Sequence, residues 1–316
     1  MLRVGMVGIG GISGAHVPVW EEREDAELVA LCDIRQECLD KYPEKRHYTD
    51  FEEMLANEKL DILDICLPTY LHVEFAIKAM EKGIHVICEK PISLHAEDIA
   101  RAYETAHKNH VNFMIAQVLR WWPEYELLKE LQESGKYGKI LSGSMERLSA
   151  IPLWSWDGWM ADENRSGLVP YDLHIHDLDF LVYAFGAPKH VDCRRNKRPE
   201  QDVLHIEYDF DDFFVTARSS WYAGRYNFSA GYLFQFEKAV VEYKGGVCTV
   251  YEDNGTTYSP TEATDATTGE ISVPKSNAYA NEINYFADCV NAGTFPDKVK
   301  PEELETVVNI LNSFNK

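Results

Sequence analysis

The feature that most constrains this chain sits at its start. An apolar run, Leu2-Arg3-Val4-Gly5-Met6-Val7-Gly8, passes without a break into Ile9-Gly10-Gly11-Ile12-Ser13-Gly14. A strand that ends in a tight glycine turn and opens a helix lets the backbone approach a pyrophosphate, whose charge then rests at the helix N-terminus. Such turns also occur for purely structural reasons, so alone this is a weak signal. Ser13 stands at the third position of the fingerprint in place of Gly or Ala, and serine is still small enough for close helix–strand packing. A second apolar run leads to Asp33, about twenty residues beyond the turn, where a carboxylate accepts hydrogen bonds from a ribose diol and repels a 2′-phosphate. That favours NAD over NADP. Arg35 is the complication, since it can pair with such a phosphate or cover the adenine.

The rest of the first third continues the theme. Short apolar runs at 2–8, 27–32, 61–66, 84–88 and 112–116 alternate with stretches of helical spacing such as 70–82 and 95–109. Phe75, Ala76, Ala79 and Met80 form one helical stripe, and Gly83 follows where a C-cap belongs. Strict alternation means βαβ units and a parallel sheet, so residues 1–118 are expected to form a doubly wound α/β Rossmann domain. Beyond residue 120 the pattern changes. A helix near 123–134, a polar tryptophan-rich stretch at 154–167 and an amphipathic helix at 170–185 precede strand-like runs at 189–197, 202–209, 213–221, 226–236, 238–243 and 247–251. Consecutive strands without helices imply a largely antiparallel open sheet, hence an α+β domain over 119–316. Residues 253–277 read as an exposed loop. Helices at 278–292 and 301–314 close the chain, and the segment 278–316 is expected to pack back on the first domain.

Composition narrows the function classes. At 316 residues the length favours two domains. A net charge of −21, spread along the chain, argues against nucleic acid or anionic membrane as partners. No apolar run approaches the roughly 20 residues of a membrane span. No secretory leader is recognisable at the N-terminus. The seven cysteines are scattered and odd in number, which points to free thiols in a reducing, cytoplasmic setting.

Two segments carry the chemistry. Glu89-Lys90-Pro91 follows the fourth apolar run, where open α/β sheets place ligands, and an ammonium there can stabilise a developing alkoxide. The plain alternative is a solvated surface lysine. The other segment is Tyr171-Asp172-Leu173-His174-Ile175-His176-Asp177-Leu178-Asp179. On one regular helix Asp172, His176, Asp179 and Tyr183 share a face, beside an apolar stripe of Ile175, Leu178, Val182 and Phe185. A carboxylate and an imidazole on one face suit acid–base work, although a helix-surface histidine beside a helix-terminal acid is the blander reading. His174 and His176 are two apart and point different ways, so no metal site is expected.

Together with the Gly8 turn, these segments resemble the glucose–fructose oxidoreductase/inositol dehydrogenase (Gfo/Idh/MocA) family over nearly the whole chain. Leu67-Pro68-Thr69-Tyr70-Leu71-His72 is similar to that family's Pro-x-x-x-His turn, and Arg120-Trp121-Trp122-Pro123 to its Arg-Phe-x-Pro step. Trp159 with Ser166-Gly167-Leu168 resembles its approach to the catalytic helix, where a glycine triplet is usual. The resemblance implies oxidation of a secondary alcohol on a sugar, cyclitol or related polyol, with NAD as hydride acceptor. It makes Lys90, Asp172 and His176 the catalytic residues. The implied cofactor neighbours are Gly8, Gly10, Gly11, Ile12, Asp33, Arg35, Pro68, Thr69, His72, Glu89, Lys90, Gln117 and Tyr279. Arg120 and Trp159, with Trp154 and Trp156, would line the substrate together with Asp172 and His176. NAD-dependent glycoside cleavage and a non-catalytic dinucleotide sensor are the other functions such a fold supports. Phe213, Phe214, Trp221, Tyr222, Tyr226, Phe228, Tyr232, Phe234 and Phe236 exceed what one core face needs. They suggest an exposed patch through which a homodimer or homotetramer forms.

Overall fold

Apolar runs become the largely buried strands β1 (Leu2–Val7), β2 (Ala26–Cys32), β4 (Ile62–Ile65), β5 (His85–Glu89) and β6 (Phe113–Ala116), and β3 (Arg46–Tyr48) joins them at the sheet edge. Helices α1 (Ser13–Glu22), α2 (Gln36–Leu39), α3 (Phe51–Asn57), α4 (His72–Met80) and α5 (Ala96–Asn109) connect them. This computed structural model describes residues 1–261 and 277–314, so positions 262–276 of the expected loop lie outside the described residues. All neighbouring strands of the first sheet pair in parallel, in the order β3-β2-β1-β4-β5-β6. The order reverses between β1 and β4, and the carboxyl ends of strands around such a switch form the ligand crevice of an open sheet. Of these strands, only β3 lacks an apolar run, because Arg46-His47-Tyr48 pairs at the sheet edge with its side chains partly exposed.

The remaining elements are α6 (Pro123–Ser134), β7 (Ile140–Ala150), α7 (Glu163–Ser166), α8 (Ile175–Phe185), β8 (His190–Arg198), β9 (Gln201–Asp209), β10 (Phe214–Tyr222), β11 (Ser229–Phe236), β12 (Ala239–Lys244), β13 (Val247–Glu252), β14 (Thr257–Tyr258), α9 (Ala278–Ala292) and α10 (Pro301–Ser313). The contacts divide the chain into two units, Met1–Gln117 with Tyr279–Glu305, and Val118–Ala278 with Thr306–Lys316. In the first unit Arg23 reaches Asn284 of α9 at 2.8 Å, and Asn112 donates to the carbonyl of Thr294 at 2.8 Å.

The second unit is built on an eight-stranded sheet, β14-β13-β12-β11-β7-β10-β9-β8. It is antiparallel except where β10 runs parallel to β7, with Phe214 opposite Ser142. Alternation along β9 and β10 turns one face inward. That face meets the helices through rings: Tyr125 of α6 packs on Phe180 at 4.9 Å and on Tyr232 at 5.2 Å, and Phe185 on Phe234 at 5.6 Å. This corrects the expected aromatic patch. Trp221, Tyr232, Phe234 and Phe236 are buried core, because aromatic residues on β10 and β11 fill the space beneath two helices. Among large apolar residues, the opposite face shows Phe214, Leu233 and Tyr251 to solvent, amid charged neighbours such as Glu242, Lys244 and Arg218.

Candidate active site

The glycine turn needs its first glycine. Gly8 has φ +88°, and a Cβ there would lie 2.6 Å from the carbonyl oxygen of Cys66, so the ends of β1 and β4 approach too closely for any side chain. Gly10 and Gly11 are exposed, and a Cβ on Gly10 would meet nothing nearer than Arg35 Nη2 at 3.9 Å. The surface over the turn is open. Ser13 closes it from below, its buried hydroxyl donating to the Gly10 carbonyl at 2.7 Å. Asp33 is buried at the end of β2. Its carboxylate accepts from Ile9 N at 2.7 Å and from Arg35 N at 2.8 Å, which fixes it beside the turn. The Arg35 side chain folds back onto Asp33, with Nε at 3.2 Å. The Arg35 cation is therefore held by Asp33, which suits a ribose diol better than a 2′-phosphate. A bare turn, an ordered carboxylate and an open surface above them fit a dinucleotide.

Pro68 and Thr69 open a 3-10 turn (Thr69–Leu71) behind β4, with Thr69 buried. His72 starts α4 and is buried too, with Nδ1 2.7 Å from the Pro91 carbonyl and Nε2 2.6 Å from the Leu67 carbonyl. Burial lowers its pKa against the pull of the two carbonyls. His72, carried over as a cofactor neighbour, thus ties the loop after β4 to the Lys90-Pro91 turn. Glu89 ends β5 and is buried, whereas Lys90 is half-buried. Gln117, just past β6, is buried, with its Oε1 accepting no hydrogen bond among the described residues. Tyr279, on α9, places its ring 6.2 Å from that of His16.

That histidine escaped the sequence reading. His16 lies on α1, fully buried, with Nδ1 2.9 Å from Asp64 Oδ2 and Nε2 3.0 Å from Glu89 Oε1. Burial opposes its protonation, but Asp64 and then Cys66 outweigh that, and its pKa is raised well above the usual value. The atoms of His16, Asp64 and Cys66 lie within 4.8 Å of one another, a ligand-type set for a metal. Trp20 Nε1 also donates to Asp64 Oδ2 at 2.7 Å, and both ring nitrogens of His16 face carboxylates, so these atoms are engaged with one another. The only trace of this cluster in the sequence is polar residues inside apolar runs.

In the second unit, the helix expected over 170–185 is in two parts, a wide π turn at Pro170–His174 and then α8. Such turns inside helices occur often at functional sites. The polar residues here divide by burial. His174 is buried between the hydroxyls of Ser219 and Tyr208, and burial pushes its pKa down to about 3. Asp177 is buried against Arg147 at 2.8 Å. Asp179 is buried against Arg120, whose guanidinium forks onto it at 2.9 and 2.7 Å and lies 4.7 Å from the Tyr183 ring. Arg120, expected on the substrate wall, is 0% exposed, and its Nε and Nη2 donate to Asp179. Asp172 and His176 are the two acidic or imidazole side chains of this segment that stay half-buried and reach the unit's surface. Trp159 is half-buried, and Trp154 and Trp156 are exposed. Gly167, at φ +74°, presses on Tyr171, and Leu168 beside it also has a positive φ of 59°.

Comparison with known proteins bears on this arrangement. Residues 2–117 match the profile of the oxidoreductase family with an NAD-binding Rossmann fold, and residues 125–252 match the GFO/IDH/MocA C-terminal domain. A D-glucoside 3-dehydrogenase of Escherichia coli is 30% identical over 198 residues, covering 59% of this chain and 55% of the relative. A myo-inositol 2-dehydrogenase of Thermotoga maritima is 31% identical over 192 residues, covering 58% and 55%. The chain spans about half the length of these curated relatives in the matched regions. Among solved structures, an oxidoreductase from Agrobacterium radiobacter in complex with NAD+, L-tartaric acid and magnesium superposes with a TM-score of 0.83 at 18% identity, covering 98% of this chain and 94% of that one. A levoglucosan dehydrogenase in complex with NADH has a TM-score of 0.83 at 17% identity, covering 99% and 96%. With both family profiles matched in order, a parallel sheet of Rossmann strand order and a mostly antiparallel second sheet, the chain belongs to the Gfo/Idh/MocA oxidoreductase family.

Proposed function

We propose that this protein is an NAD-dependent dehydrogenase that oxidises a secondary alcohol of a sugar, cyclitol or related polyol. The observation that carries the reading is the division of polar residues around the π turn. His174, Asp177 and Asp179 are committed inside the unit, and of the acidic and histidine side chains in 171–179 Asp172 and His176 are the half-buried ones. Bound NAD supplies a hydride acceptor, and the protein supplies position and charge. His176 takes the hydroxyl proton, Asp172 orients the substrate or His176, and the Lys90 ammonium stabilises the developing alkoxide. The sugar and inositol dehydrogenases among the relatives support this substrate class. Self-association through the outer face of the second sheet belongs to the same proposal. It rests on Phe214, Leu233 and Tyr251, which paired strands bring to one face through Ser142, Ser144 and their partners. A light-scattering mass equal to one 36.2 kDa chain at micromolar concentration would exclude it.

The test is incubation with NAD and a panel of polyols. A dehydrogenase accumulates NADH, a glycosidase releases a leaving group without net NADH, and a sensor does neither. Lys90→Ala and His176→Ala are expected to lower turnover by about 10²–10⁴-fold while NADH binding stays nearly intact. Asp33→Ala should do the reverse, weakening the cofactor and sparing turnover at saturation. Full turnover in His176→Ala would remove it from the chemical step.

A further inference from the structure

A chain of buried hydrogen bonds runs from α1 to the backbone of the proposed catalytic lysine. Trp20 Nε1 donates to Asp64 Oδ2 at 2.7 Å, and His16 Nδ1 lies 2.9 Å from the same oxygen. The Cys66 thiol reaches the other oxygen of Asp64 at 3.6 Å. His16 Nε2 lies 3.0 Å from Glu89 Oε1, and Glu89 Oε2 accepts from the backbone N–H of Lys90 at 3.1 Å. Trp20, His16 and Asp64 are fully buried, and Glu89 is 8% exposed. We propose that His16 is a positioning residue, which locks the Glu89 side chain to the interior through Asp64 and thereby sets the turn from which Lys90 projects. The inference rests on the reading of Lys90 as the residue that stabilises the alkoxide.

Three features take His16 beyond ordinary packing. First, both of its ring nitrogens face carboxylate oxygens, and an ionised carboxylate only accepts. With both carboxylates ionised, both contacts are hydrogen bonds only when both nitrogens carry protons, so the arrangement favours an imidazolium, the direction in which its pKa is shifted. The groups facing it agree: Asp64 and Cys66 from the β4 end, Glu89 from β5 and the Tyr279 ring from α9. Second, it follows the glycine turn by one helical turn, so α1, whose N-terminus faces the pyrophosphate site, also holds the end of β5. Third, its partner Glu89 bonds the Lys90 N–H, so a released carboxylate would loosen the segment that carries the ammonium. Supporting groups of this kind act through placement, and a misplacement of about 1 Å can cost 10²-fold in rate.

The ring's two nitrogens can be separated by substitution. Asparagine puts its amide where Nδ1 sits and can reach Asp64 only; glutamine puts its amide where Nε2 sits and can reach Glu89. His16→Asn is expected to lower kcat about 10²-fold with NADH affinity changed by less than about threefold, and His16→Gln to recover at least tenfold of that loss. In the cofactor-free protein, the resonance of reductively ¹³C-methylated Lys90 should move in His16→Asn and return in His16→Gln. Equal loss in both variants, or full turnover in His16→Asn, overturns the proposal. If neither variant folds, ¹⁵N NMR of ring-labelled wild-type protein decides. Two protonated nitrogens on His16 at pH 7.5 support it, and a neutral ring overturns it. Lys90→Ala separates the two levels. Full turnover there sinks the reading of Lys90 itself, whereas an inactive Lys90→Ala beside a fully active His16→Asn sinks only the role of His16.

Discussion

His16 in the first unit and His174 in the second are both completely buried, and the two behave in opposite ways. His16, in the first unit, lies between the carboxylates of Asp64 and Glu89, and its pKa is raised. His174, in the second, lies between the hydroxyls of Ser219 and Tyr208, with the Arg147 cation near, and burial pushes its pKa down to about 3. Removal from water disfavours the charged ring in both places. What differs is the partner set. Asp64, with Cys66 beside it, returns more than burial takes, while two hydroxyls satisfy a neutral ring and offer a charge nothing. A buried histidine is therefore a cation or a neutral polar strut according to its neighbours, and sequence position alone does not distinguish them.

The largest test of this contrast is Asp64→Ala. It leaves an imidazolium facing only Glu89 and strands the Trp20 N–H, and breaking a buried ion pair on one side costs about 3–5 kcal/mol. Urea unfolding at pH 7 should show a loss of that size. A loss below about 1 kcal/mol, the worth of a neutral hydrogen bond, would mean that His16 is uncharged.

Stability against pH sharpens the comparison further, because the signs are opposite. His174 binds its proton less readily folded than unfolded, so its contribution is complete above the unfolded value of 6.5 and is lost as pH falls from there toward about 3. The slope is about 1.4 kcal/mol per pH unit inside that window. His16 binds its proton more readily folded, so its contribution is complete below 6.5 and is lost as pH rises through its folded value. Chemical unfolding between pH 5 and 8.5 should therefore show His174→Asn flattening the acid side and His16→Asn flattening the alkaline side. Flattening on the same side in both variants would break the contrast.

The same contrast explains what the sequence made legible. Strands of the first sheet announce themselves through apolar runs, and the Gly8 turn, Asp33 and the strand-end position of Lys90 follow from that pattern. In the second unit the alternating strands β8 to β13 were equally plain. β7, at the centre of its sheet, was not. Its residues Ile140–Ala150 include Gly143, Glu146 and Arg147, poor strand formers by composition. They fit because a Cβ on Gly143 would lie 2.5 Å from the Phe234 ring, and because Arg147 is buried against Asp177. His16 was hidden for the same reason. A polar residue with buried partners carries no periodicity, since its pairing depends on residues far away in the chain. The aromatic residues of β10 and β11 erred the other way, looking like surplus surface until α6 and α8 were seen to cover them.

The smallest expected effect isolates the neutral member of the pair. Ser219 is fully buried on β10, with its hydroxyl 3.0 Å from His174 Nδ1. Removing it in Ser219→Ala deletes one neutral hydrogen bond and leaves the Tyr208 hydroxyl on the other nitrogen, so the loss should be about 1 kcal/mol. The pKa of His174 is set first by burial and then by the Arg147 cation, and alanine changes neither. Stability should therefore drop by a constant amount across the pH range, with the acid-side slope retained. If the slope disappears along with the hydroxyl, the serine rather than burial keeps the ring neutral. The second unit's histidine would then be governed by its partners as completely as His16 is.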